Sequence, residues 1–174
     1  MSALTATSGH HLGFLSIHQD AGGFVGGYLV TNAWGRPLEF RLSSAVQPTK
    51  VQQILYGDTL APYLCGEVIG KTLIEKTAAR AACIIVDQPM AMDVRLHVET
   101  PIGLWRSIAD PDQEAPGLHV RDRLYCHARF PDDVASLQTL LEKLDGFDFA
   151  EPFTRIREAM SEARKLGVTM RRAA

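Results

Sequence analysis

The sequence predicts one α+β domain in which strands lead and helices close. Three observations carry this. Residues 12–42 hold three short apolar or alternating runs, separated by the turn signals Asp20-Ala-Gly-Gly23 and Asn32-Ala-Trp-Gly35. Residues 132–168 instead carry apolar side chains at helical spacing. The 174 residues are 46% hydrophobic and 22% charged, as in an ordinary globular chain. A chain of that length buries roughly two-thirds of its surface and needs no disulfide or metal staple.

The elements follow in order. Residues 1–11, rich in Ser, Thr and Gly, read as a flexible arm. Leu12 to Gln19 is apolar on both faces, as a central strand is. Phe24 to Thr31 is a second strand. Leu38, Phe40 and Leu42 alternate with Glu39 and Arg41, which makes a third strand with one wet face. Short connections join the three as an antiparallel meander.

Pro48-Thr49 opens a helix with Thr49 as N-cap and Val51, Ile54 and Leu55 along one face. A second helix starts at Asp58 or Thr59, with Pro62 harmless in its first turn, and completes a helix pair. Ala82 to Asp87 reads as a buried strand. A second β-rich stretch follows. Val94, Leu96 and Val98 alternate with Arg95, His97 and Glu99, Leu104 to Ile108 pairs with that run, and Leu118 to Phe130 holds one more strand. Residues 109–117, with Pro111 and Pro116, read as a loop.

A C-terminal helical hairpin ends the domain. Asp132 caps its first helix, whose stripe is Val134, Leu137, Leu140, Leu141 and Leu144. Pro152 starts the second, with Phe153, Ile156, Met160 and Ala163 inward and Gly167 at its end. The division is a flexible arm at 1–11, a single α+β domain at 12–168 and a short basic tail at 169–174 containing Arg171-Arg172.

The formal net charge of −2 excludes the strongly cationic surface of a sequence-independent nucleic-acid binder. A local basic patch is all the support nucleic-acid binding receives. The three cysteines, Cys65, Cys83 and Cys126, are odd in number and widely spaced, which points to free thiols in a reducing compartment. The first twelve residues lack the basic start and apolar core of a secretion signal. The uncharged run from Ala21 to Ala33 is too short to span a bilayer. The expectation is a cytoplasmic protein that is not membrane-bound.

Most motifs dissolve on inspection. Ile69-Gly-Lys-Thr72 ends like a phosphate loop, but the position that needs the first glycine is Cys65, and the residues fall inside a helix. Gly66 and Gly70 read instead as allowing close helix packing. Gly22, Gly23, Gly26 and Gly27 lack dinucleotide spacing and read as a thinned hairpin, which also admits the close approach of a small molecule. Cys126 and His127 are adjacent on a strand and so face opposite ways, a poor start for a metal site. Ser16, Ser43 and Ser44 lack a nucleophile elbow.

One constellation survives with a chemistry attached. Asp20 ends the first strand, Glu67 lies on the helix and Asp87 ends the fourth strand. Three antiparallel strands, a helix and a buried strand (βββ-α-β) over residues 12–87 resemble the opening of ribonuclease H-like domains. That topological resemblance implies carboxylates gathering Mg²⁺ or Mn²⁺ for phosphodiester hydrolysis. Against it, Asp20 sits at a flexible turn rather than within its strand.

A second constellation is a binding surface. Trp34 and Trp105 fall in or near turns, and Arg155 and Arg164 lie on the outer side of the last helix. The expectation is therefore a non-catalytic interaction or accessory subunit of a cytosolic assembly, working through a protein partner or a second copy and needing no cofactor. The alternative is a metal-dependent phosphodiesterase or nuclease using Asp20, Glu67 and Asp87. A third reading is a small-molecule-binding domain.

Overall fold

The computed structural model describes residues 10–107 and 117–167. Most of the predicted arm, nearly all of the 109–117 loop and the basic tail lie outside them. Among the described residues seven strands form one mixed sheet, and the chain is of mixed α+β class. The strands are β1 (Leu12–Asp20), β2 (Gly23–Thr31), β3 (Pro37–Leu42), β4 (Cys83–Val86), β5 (Ile102–Trp105), β6 (Leu118–Arg121) and β7 (Leu124–Cys126). Their order is β3-β2-β1-β4-β5-β7-β6. β1, β2 and β3 pair antiparallel, β4 and β5 run parallel to β1, and the β6–β7 hairpin adds antiparallel to β5.

Helices cover both faces. Against one face lie α4 (Asp132–Glu142) and α5 (Ala150–Lys165), whose Leu137, Leu141, Phe153 and Ile156 meet Leu12, Phe14, Leu29 and Ile85. The predicted leucine stripe of α4 and the Phe153, Ile156 and Met160 face of α5 are both buried there. Against the other face lie α2 (Leu60–Tyr63), a π-helical stretch (Leu64–Lys71) and α3 (Thr72–Lys76), with Leu64, Ile69 and Leu73 on Leu15, Ile17 and Ile84. β2 is thinned to let both layers in. A methyl on Gly26 would strike Ile69 and Leu73, and one on Gly27 would come within 2.8 Å of Ile156. The space freed by these glycines is thus filled by the protein's own side chains.

The helix α1 (Lys50–Tyr56) precedes α2, and a 3₁₀ turn (Gly57–Thr59) links the two. Thr49 is its N-cap, as the sequence predicts, and the cap is reciprocal. Gln52 N–H donates to Thr49 Oγ1 at 3.2 Å, and Thr49 N–H donates to Gln52 Oε1 at 2.9 Å.

The second half departs from the expected strands. Val94, Leu96 and Val98 do not form a strand: Pro89–Leu96 is a 3₁₀ segment. Pro89 opens it, where a missing N–H costs little. Val94 is buried while Leu96 is exposed, so the two do not share a face. Val94 occupies the room left by Gly70, where a side chain would collide with it. Arg95 then fastens the segment to α4. Its guanidinium donates to both oxygens of buried Asp133 at 2.8 and 3.3 Å and lies 3.9 Å from the centre of the Phe130 ring. The predicted pairing of Leu104 to Ile108 with that run is likewise replaced, because β5 pairs with β4 and β7. Leu118 to Phe130 holds two strands rather than one. They turn at Asp122, whose φ of 46° is one that Asp tolerates. Asp132 is the first residue of α4 rather than its cap, and α5 begins at Ala150, two residues before Pro152.

Candidate functional site

In a strand every second side chain points the same way, so Ser16, His18 and Asp20 of β1 share a face. It is the face of Leu12 and Phe14, under α5. Asp87 follows β4, which runs parallel beside β1, and alternation from Cys83 and Ile85 gives it the same side. Polar groups thus gather at the carboxyl ends of two adjacent parallel strands, where open sheets that contain parallel strands commonly form their crevices.

Ser16 is fully buried. Its Oγ donates to Asp87 Oδ2 at 2.9 Å and lies 3.0 Å from His18 Nε2. A hydroxyl has one proton, and here it goes to the carboxylate, so the imidazole must donate to Ser16. The chain runs His18 to Ser16 to Asp87. In a nucleophilic triad the serine proton passes to the histidine instead. This arrangement holds the Ser16 hydroxyl between His18 and Asp87.

The two aspartates have opposite environments. Asp87 is largely buried, which pushes its carboxyl above the ordinary range, and the Ser16 hydrogen bond only partly offsets this. Its Oδ1 is enclosed and has no hydrogen-bond partner among the described residues, while Oδ2 stands 3.6 Å from Arg157 Nη1. Asp20 accepts the Gly22 N–H at 2.7 Å and pairs with Arg164. The Gly22 bond first, and then Arg164, lower its carboxyl below the usual value. Both guanidiniums come from α5, seven residues or about two helical turns apart. α5 therefore covers this end of the sheet and sets an arginine on each aspartate.

Glu67 does not join them. It is an exposed residue of the π-helical stretch, and that stretch packs on the opposite face of the sheet. Among the described residues no ion pair links it to Lys71, and no three His, Cys, Asp or Glu side chains lie close enough together to hold a metal ion. The Asp20–Glu67–Asp87 set thus does not fit the divalent ion that the resemblance implies.

The surface candidates also separate. Trp34, in the β2–β3 turn, is 73% exposed. Trp105 belongs to β5, is half-buried and stacks on Phe153 with ring centres 6.3 Å apart. Arg155 ties α5 to the β2–β3 turn by donating to Gly35 O at 2.8 Å and pairing with Glu151. Arg164 is held by Asp20. His127 reaches Asp93 at 3.2 Å while Cys126 is buried. Cys65 and Cys83 are also free and buried, and burial pushes both thiols up to about 12. They are poor nucleophiles at neutral pH.

A further exposed surface is α1. It buries none of its residues, and Val51, Ile54 and Leu55 are 63%, 71% and 76% exposed. Their one-sided spacing was visible in the sequence, but which side they turn to was not.

Fold and site together define a class: an α+β protein with a mixed sheet whose carboxyl-end aspartates are engaged by arginines of a covering helix. No family model, curated protein or solved structure matches the chain.

Proposed function

We propose that the chain is a non-catalytic accessory subunit of a cytoplasmic protein assembly, and that it docks into an apolar groove of a partner protein through α1. The observation that carries this reading is the outward apolar face of α1. Val51, Ile54 and Leu55 stand at i, i+3 and i+4, the anchor pattern of a helix read by a groove. The reciprocal Thr49–Gln52 cap holds its first turn, and Tyr56 at its other end stacks on Tyr63 of α2. The test is quantitative co-purification from the native host with the parent and Ile54→Asp, each checked for an unchanged thermal midpoint. The reading expects one protein to be captured in fixed ratio by the parent and lost with the variant. Identical capture by both overturns it.

A second reading, a metal-dependent nuclease, is favoured by one observation. Asp87 directly follows β4, which lies parallel beside β1, so the carboxyl-end position that such a reading needs is occupied by an aspartate. Against it, Ser16 occupies the inward position of β1 beside Asp87, and Arg157 and Arg164 oppose the cation that two free aspartates would attract. The accessory reading expects no cleavage of single- or double-stranded DNA or RNA with Mg²⁺ or Mn²⁺. Cleavage by the parent that is lost in Asp87→Asn would put the nuclease first.

A further inference from the structure

β3 ends the sheet, and its sequence is a palindrome in chemical character: Leu38-Glu39-Phe40-Arg41-Leu42. We propose that β3 is the seam of a two-fold homodimer, in which the β3 strands of two copies pair antiparallel with Phe40 on the axis. The inference is independent of α1 and its partner.

The backbone sets which groups a new strand would meet. Ser43 N–H donates to Gly26 O at 2.9 Å, and the register that places Gly27 opposite Leu42 places Gly26 opposite Ser43. Mutually bonded pairs alternate along an antiparallel ladder. Arg41, opposite Tyr28, and Glu39, opposite Val30, therefore turn their N–H and C=O toward β2. Phe40 and Leu42 turn theirs outward, and among the described residues nothing pairs with them, while Leu38 is the extra residue of a bulge where the register against β2 shifts.

A second β3 centred on Phe40 matches these groups. Leu38 meets Leu42 of the other copy, Phe40 meets Phe40, and Leu42 meets Leu38. The Phe40 pair is mutual and gives two hydrogen bonds, and Leu42 on either side of it brings its own N–H and C=O to the bulged Leu38 of the other copy. Glu39 and Arg41 then fall opposite one another in the closer, non-bonded pairs, where side chains interact most strongly. A slip of one residue opposes outward groups to inward ones. A slip of two, the smallest that keeps the backbone matched, sets Glu39 against Glu39 or Arg41 against Arg41. The charges thus select one register and a symmetric partner.

The side chains agree. Leu38 is 45% and Phe40 37% exposed, large apolar groups standing open on an edge strand. Both lie on the sheet face that carries α5, because Phe40 pairs with Leu29 of that core. A second copy would cover them. Arg41 bonds Glu39 of its own chain at 2.9 Å yet stays 42% exposed, which leaves it able to reach across. Glu39 is fixed in place by the N–H groups of Ala78 and Ala79 at 3.0 and 2.9 Å. Pro37, which has no N–H, ends the ladder.

Sedimentation of the full chain over a concentration series should show a monomer–dimer equilibrium. Phe40→Lys and Phe40→Glu put like charges together on the axis, and each alone should weaken the dimer roughly tenfold or more. Mixed in equal amounts they should restore it, because residue 40 meets residue 40. Under mild oxidation Phe40→Cys should crosslink to a dimer and Leu38→Cys should not, while Leu38→Cys mixed with Leu42→Cys should. The native thiols are all buried and give little background. Circular dichroism confirms that each variant is folded, and the crosslinks read the register even if a charged variant is not. A parent that is monomeric throughout, a dimer that neither charge disturbs, or Leu38→Cys crosslinking as fast as Phe40→Cys would each overturn the proposal.

Discussion

α4 and α1 both repeat branched apolar residues three and four positions apart, yet the core takes one and leaves the other. α4 has no side-chain N-cap, and its Leu137, Leu140 and Leu141 lie under the sheet, with Leu144 just past its end. α1 has a complete capping box and buries nothing. One helix is held by what it packs on, the other by its own first turn. Periodicity reveals that a helix has an apolar face, and only tertiary structure decides whether that face is covered.

A matched pair of leucines tests this contrast. Leu141→Ala removes a buried side chain and should lower unfolding free energy by ~2–5 kcal/mol in urea titration. A loss below ~1 kcal/mol would mean that the stripe of α4 is not a full core position. Leu55→Ala, the same chemical change on α1, should alter stability by no more than ~0.5 kcal/mol. A larger loss there would erase the distinction and show that α1 packs on something within the folded chain. If Leu55→Ala instead keeps its stability and loses the co-purified partner, the contrast sharpens into one between folding and docking.

The same division explains what was legible in the sequence. β1, β2 and β3 could be read because alternation and the two glycine turns act locally. The stripes of α4 and α5 could be read because Leu141 and Ile156 recur at one spacing. Val94 was misassigned because three apolar residues two apart mimic a strand, whereas the segment is fixed by distant partners, Gly70 and Asp133. The β6–β7 hairpin was missed because its turn rests on Asp122 alone rather than on a glycine. At the candidate site, the chain order of Asp20, Glu67 and Asp87 was visible, but order carries no information about which sheet face an element covers. A usable signal lies in β1: Ser16, His18 and Asp20 are two apart and so face one way. The arginines opposite them, Arg157 and Arg164, are two turns apart on a helix far along the chain, and only folding brings them there.

The position of β1 also has a consequence during synthesis. β1 is an interior strand of the sheet, and its parallel neighbour is β4, so Leu12 waits for Cys83, 71 residues later (83 − 12). At translation rates of roughly 5–20 residues per second that wait is roughly 4–14 s. Throughout it the nascent meander of β1, β2 and β3 has β1 as an open edge, and that edge, bearing Leu12, Phe14 and Leu15, is more apolar than the β3 edge. The apolar edge of β1 is therefore uncovered longer than the rest of the meander, and it closes only when β4 emerges and docks.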